Sequence, residues 1–272
     1  MAHTERVVLI GVDGLRPDAL AEVRPPQILR LMATGAYCDH TQSVTPSVSL
    51  PCWLSAVNGT PPEQHGIVAN LWTPPAGREP IPSLFDLAHQ AGLGTASFYN
   101  WEQLRDLARP GSLDRSFYRR IGDPEGDADL EVAAAAAESI AAHRPGLAFI
   151  YLGAVDAVGH LHGWMSEAQF AAIRKADQAI GLILAAMEAA SLLAGTALFV
   201  LADHGGEDHT HGTGTPPDMT VPWVASGAGI RRGHRIAGPV SLVDTAPTVA
   251  HVLGLAAPVE WTGQVIAEAL AD

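Results

Sequence analysis

The sequence predicts an α/β domain with a mostly parallel central sheet and helices on both faces. Short, near-continuous apolar runs alternate with segments of helical periodicity, the pattern of strands buried on both sides. Acidic residues stand just beyond three of those runs, at Asp13, Asp156 and Asp203. Ligands of open α/β sheets bind past the carboxyl ends of the strands, where all three would emerge. With 272 residues, 47% hydrophobic and 17% charged, the chain can bury a sizeable core, so one domain over 1–272 is expected.

Val7 to Val12 reads as a buried strand and Gln27 to Thr34 as a short helix. Ser49 stands at the start of a helix through Val57, with Pro51 suited to its first turn. Residues 71–120 are richer in proline, glycine and aromatics (Trp72, Pro74, Pro75, Trp101, Pro110, Tyr118) and are expected to form a small cap within the domain, beside the site. Gly94 to Tyr99 is strand-like. Asp127 to His143 is a helix, since alanine is the best helix former. Leu147 to Leu152 is a second buried strand, Ser166 to Ala190 a long helix, and Ala197 to Leu201 a third strand.

Composition excludes several classes. A formal net charge of -13 without an offsetting basic patch argues against a nucleic-acid scaffold. Carboxylates that bind cations would neutralise part of it. Cys38 and Cys52 are read as two buried thiols rather than a disulfide framework. No charged segment followed by an apolar one opens the chain, and no apolar run approaches the ~18 residues of a membrane span. A cytoplasmic protein without a membrane role is the expectation.

The chemistry gathers at strand ends. Leu198-Phe-Val-Leu-Ala-Asp-His-Gly-Gly206 ends an apolar run in two metal-ligand types, followed by glycines that let the backbone turn. Asp156-Ala-Val-Gly-His160 sets a carboxylate and an imidazole at i and i+4, on one face if the segment is helical. Glu207-Asp-His-Thr-His-Gly212 offers His209 or His211 as a further ligand, and spacing does not choose between them. Ser49, before Pro51, is either a helix N-cap or a nucleophile at a helix end suited to anions. Gly11-Val-Asp-Gly14 lacks the dinucleotide fingerprint, and no G-x-S-x-G elbow supports a serine esterase.

Together, Asp13-Gly-Leu-Arg-Pro-Asp18, Ser49-Leu-Pro51, His65-Gly-Ile-Val-Ala-Asn70, Asp156-Ala-Val-Gly-His160 and Asp203-His204-Gly205 resemble the alkaline phosphatase superfamily, in its type I phosphodiesterase/nucleotide pyrophosphatase branch. Val240 to Gly254 looks like the superfamily's C-terminal helix. The resemblance implies an alkaline-phosphatase-like fold and a two-metal hydrolase of small-molecule phosphate esters, most readily phosphodiesters, with a phosphoseryl intermediate on Ser49. A phosphomonoesterase or sulfatase on the same site, and a non-catalytic metal- or phosphate-binding protein, are the alternatives. By the same resemblance Asp13, Asp203, His204 and Ser49 would share one metal, and Asp156, His160 and His211 the other. Asn70 would bind a phosphoryl oxygen with the Ser49 N–H, and His65 would be structural. The Asp/His donor set suits Zn²⁺, with Mn²⁺ compatible. Many relatives carry threonine where this chain has Ser49. A monoester dianion would need added positive charge, for which Arg16 and Arg105 are the candidates.

Overall fold

The computed structural model describes residues 4–73 and 80–271. Eight strands form one sheet: β1 (Arg6–Val12), β2 (Ala36–Gln42), β3 (Thr95–Tyr99), β4 (Arg115–Tyr118), β5 (Leu147–Leu152), β6 (Thr196–Leu201), β7 (Thr220–Gly227) and β8 (His234–Arg235). Their spatial order is β4-β3-β5-β1-β6-β7-β2-β8. Every pairing is parallel except the two that β7 makes, with β6 and with β2. The sheet is therefore mostly parallel, as expected.

Ten helices surround it: α1 (Pro17–Val23), α2 (Pro26–Thr34), α3 (Ser49–Asn58), α4 (Pro62–His65), α5 (Leu84–Gln90), α6 (Ala128–His143), α7 (Ala154–His162), α8 (Glu167–Ala189), α9 (Pro216–Met219) and α10 (Thr245–Val252), among the described residues. Strand side chains alternate between two cores, because successive residues point to opposite faces. Leu9, Phe149 and Phe199 face α3, α5 and α10, while Ile10, Ile150 and Val200 face α1, α2, α6, α7 and α8. Each face is lined by buried apolar side chains, and the helix layers bury their apolar residues there. Cys38 and Cys52 are buried and unpaired.

The three predicted apolar strands lie side by side as β5, β1 and β6. That adjacency sets Asp13, Asp156 and Asp203 at one edge of the sheet. Residues 71–120 were expected to form a small cap; their described residues include α5, β3 and β4. β3 and β4 extend the sheet from β5, and Leu84, Phe85 and Ala88 of α5 sit in the core. Among the prolines and aromatics that suggest an insertion, Trp72 and Trp101 pack partly on the core, while Pro110 and Tyr118 are exposed. Pro74 and Pro75 lie outside the described residues. No described helix is long and apolar enough to cross a membrane.

Candidate active site

Asp13 follows β1 and is fully buried. Its Oδ2 accepts hydrogen bonds from the Tyr151 hydroxyl at 2.6 Å and the Trp53 indole at 3.2 Å. Trp53 gets there only because Gly11 of β1 has no side chain, since a Cβ would stand 2.3 Å from the indole ring. Gly14, at φ +71, turns the chain under Asp156 and donates its N–H to Asp203 Oδ1 at 3.2 Å. An L side chain would be strained at that φ and would press on the Asp156 backbone.

α7 brings Asp156 and His160 together as the i, i+4 spacing predicts, with Oδ1 and Nε2 3.5 Å apart. His211 Nε2 lies 3.8 Å from the same oxygen. His204 Nε2 stands 3.4 Å from Asp13 Oδ1 and 3.3 Å from Asp203 Oδ2. The His204 and His211 rings stack at 3.7 Å, joining the two halves of the cluster.

All three imidazoles are oriented in the same way. Nδ1 of His204 meets the Gly205 carbonyl at 2.8 Å, that of His160 the His209 carbonyl at 2.9 Å, and that of His211 the Ser47 carbonyl at 2.8 Å. A carbonyl can only accept, so each Nδ1 donates its proton there and each Nε2 is turned to the cluster. His209 is exposed and turned elsewhere, so His211 is the one drawn in. His162 is also outside, paired with Glu125 at 2.6 Å.

The donor set fits cations. Asp13 Oδ1, Asp156 Oδ1 and Asp203 Oδ2 are buried without a hydrogen-bond partner, and the ion pairs of these carboxylates among the described residues are with histidine alone. Burial pushes the Asp13 carboxyl up and those of Asp156 and Asp203 well up, with mutual repulsion adding to the latter two. Burial holds His204 far below its ordinary range, so it is neutral. Divalent ions would supply the missing charge. Two three-residue groupings bring ligand atoms within 4.8 Å of one another: Asp156, His160 and His211; and Asp13, Asp156 and His204. Asp203 is in neither, although its Oδ2 is closer to His204 than Asp13 is. Asp156 thus lies between the groups.

Ser49 is the first residue of α3 and caps nothing, because Val48 holds the N-cap position. Its hydroxyl instead lies 3.0 Å from His204 Nε2. Asn70 Oδ1 accepts the Leu50 N–H at 2.9 Å, and Pro51 has no N–H, which leaves that of Ser49 at this helix end. The Asn70 amide nitrogen is left for the cleft it lines, a cavity of ≈ 620 Å³ shared with Ser49, Asp156 and His211. His65 is structural in geometry: its Nδ1 accepts from Ile67 N–H, its Nε2 meets Ser55 Oγ at 3.0 Å, and burial lowers its pKa to about 4.

Sequence reasoning missed the donors to Asp13. Tyr151 could have been noticed, since a phenol near the end of a buried strand needs a partner. Arg120 was missed as well. Arg16 is held by Asp18 and the Gly206 carbonyl, and Arg105 by Asp106, whereas Arg120 lines the cleft. Of the aromatics in 71–120, Tyr99 is core, Trp72 packs on the core, and Trp101 lines the cleft.

A mostly parallel sheet with a carboxylate–imidazole cluster at its carboxyl edge and a helix-start serine against it defines a member of the alkaline phosphatase superfamily. The chain belongs to the type I phosphodiesterase / nucleotide pyrophosphatase family, whose model matches residues 7–215. It is 25% identical over 217 residues to ectonucleotide pyrophosphatase/phosphodiesterase family member 3 of Rattus norvegicus, covering 73% of this chain and 24% of that protein. Over 119 residues it is 36% identical to a 2,3-bisphosphoglycerate-independent phosphoglycerate mutase of Roseobacter denitrificans, covering 40% and 21%. The chain therefore spans under a quarter of the length of these two relatives. Among solved structures, murine ectonucleotide pyrophosphatase/phosphodiesterase 5, as an inactive variant in complex with AMP, aligns with TM-score 0.77 at 17% identity, covering 93% of this chain and 96% of that one. A 2-O GAG sulfatase aligns with TM-score 0.76 at 15% identity, covering 98% and 74%. Both likenesses concern the fold.

Proposed function

We propose that this chain is a metal-dependent hydrolase of phosphate esters, acting on phosphodiesters through a phosphoseryl intermediate on Ser49. The observation that carries this reading is the 3.0 Å contact between Ser49 Oγ and His204 Nε2. It sets a hydroxyl against a buried cluster whose carboxylate oxygens lack other partners. Asp13, Asp203 and His204 would hold one cation beside Ser49, and Asp156, His160 and His211 a second. Zinc is proposed for both, on the Asp/His donor set. Such cations, when bound, lower the pKa of a coordinated hydroxyl or water and offset charge on phosphoryl oxygens.

Ser49 Oγ passes its proton to solvent and attacks phosphorus, and the ester oxygen opposite leaves with the electron pair of the broken P–O bond and takes up a proton from solvent. A water then gives a proton to solvent as its oxygen attacks the same phosphorus, and Ser49 Oγ departs with the electron pair of the P–O bond and recovers a proton from solvent. The Asn70 amide and the Ser49 N–H bind the phosphoryl oxygens, with the positive end of α3 behind them. Tyr151 and Trp53 hold Asp13 in place, because burial keeps the Tyr151 phenol protonated as a donor.

The test is turnover of bis-p-nitrophenyl phosphate, p-nitrophenyl phosphate and p-nitrophenyl sulfate, each with and without chelator. The diester is expected to be hydrolysed fastest, and chelation to stop it. Activity that persists after exhaustive chelation would sink the proposal, as would inertness towards all three with metal bound.

A further inference from the structure

Arg120 is placed to read the substrate. It lines the same cleft as Ser49, two residues beyond the end of β4. Its neighbour Arg119 is committed to Glu131, but the Arg120 guanidinium has no hydrogen bond or ion pair among the described residues. Glu102, another charged residue on that wall, is turned to Arg105 at 3.5 Å. Among the described residues that line the cleft, Arg120 is the one Lys or Arg, and it is exposed.

Sheet order sets the offset between the strand that carries it and the strands that carry the carboxylates. β4 lies two strands from β5 and three from β1. At a strand spacing of about 4.8 Å, the chain leaves β4 roughly 10 Å to the side of β5, and roughly 14 Å from β1. Arg120 therefore serves a group some bonds away from the phosphorus that Ser49 would attack, not the reacting oxygens themselves. From this we infer that the enzyme selects phosphodiesters in which one ester substituent carries a second anion, a carboxylate or a phosphate, which Arg120 binds as a bidentate partner. Trp101 and Tyr118, on the same wall, pack against the stem between the two anions. This inference rests on the diesterase reading above.

Matched synthetic diesters test it: butyl, 3-carboxypropyl and 3-phosphonopropyl p-nitrophenyl phosphate, given to the metal-loaded protein. The two anionic esters should exceed the butyl ester in kcat/KM by about tenfold or more, the size of one charge-assisted hydrogen bond. Added salt should shrink that ratio. Arg120→Ala should bring it close to one, and Arg120→Glu below one. Equal kcat/KM for the three esters in the wild type, or a ratio that Arg120→Ala leaves intact, overturns the inference. Calorimetric binding of butyl phosphate and 3-carboxypropyl phosphate gives the same comparison without turnover. Loss of all hydrolysis with the affinity ratio intact would strike the diesterase reading and spare Arg120, whereas equal affinities would strike Arg120 alone.

Discussion

His160 and His209 clasp each other through ring-to-backbone hydrogen bonds. His160 Nδ1 meets the His209 carbonyl at 2.9 Å, and His209 Nδ1 meets the His160 carbonyl at 3.1 Å. The clasp ties the C-terminal half of α7 to the loop that carries His211. It also separates the two loop histidines by task, one aimed at the carboxylates and one buttressing.

Substitution should expose that difference. His211→Ala is expected to lose one cation outright, with activity falling below detection. His209→Ala keeps the carbonyl that orients His160 and loses only the return bond, so cation affinity should drop by about tenfold, the low end for an outer partner of a ligand. Metal content after dialysis, with competitive titration, reads both. Equal losses in the two variants would mean that His209 is a ligand.

Ser49→Ala removes the nucleophile and leaves every carboxylate and imidazole of the cluster. Turnover is expected to vanish while both cations are retained. Asp203→Ala should lose turnover and metal together, because His204 is left with one carboxylate beside it. Wild-type turnover from Ser49→Ala would refute its role.

Asp129 gives a pH prediction separate from the metals. It is fully buried, its Oδ1 accepts from Asn100 Nδ2 at 2.6 Å, and Asn100 Oδ1 accepts the Gly153 N–H at the start of α7. Burial raises its pKa from 3.8 to about 6. The folded chain therefore keeps a proton that the unfolded chain releases between those values. The resulting stability is complete below pH 3.8 and is lost as pH rises through about 6, a change of about 3 kcal/mol. Asp129→Asn cannot ionise, so its stability relative to wild type should rise by about 2 kcal/mol from pH 4 to pH 7. Urea denaturation of both proteins in chelator measures this. A pH-independent difference would contradict it.

Much of the frame could be read from the chain because its central strands are apolar on both faces. β1, β5 and β6 stand out as runs such as Leu147 to Leu152, and the acids beyond them follow. β2 did not stand out, since Ala-Tyr-Cys-Asp-His-Thr-Gln is only alternately buried, and β7 contains Pro222. β4 is mostly exposed at the sheet edge and β8 is two residues long, too short to leave a periodic signal. The weak signal of β4 also hides the position of Arg120. In the site, ligand types and the i, i+4 pair were legible. Which loop histidine turns inward depends on a contact to Ser47, 164 residues away, and no local spacing records that.

The carbonyls of Ser47, Gly205 and His209 that aim the three imidazoles belong to the main chain. Every amino acid supplies that oxygen, so at Ser47 and His209 the anchor survives a change of side chain. The ring poses are thus inherited from the path of the polypeptide, and the residues around them can vary widely while the poses persist.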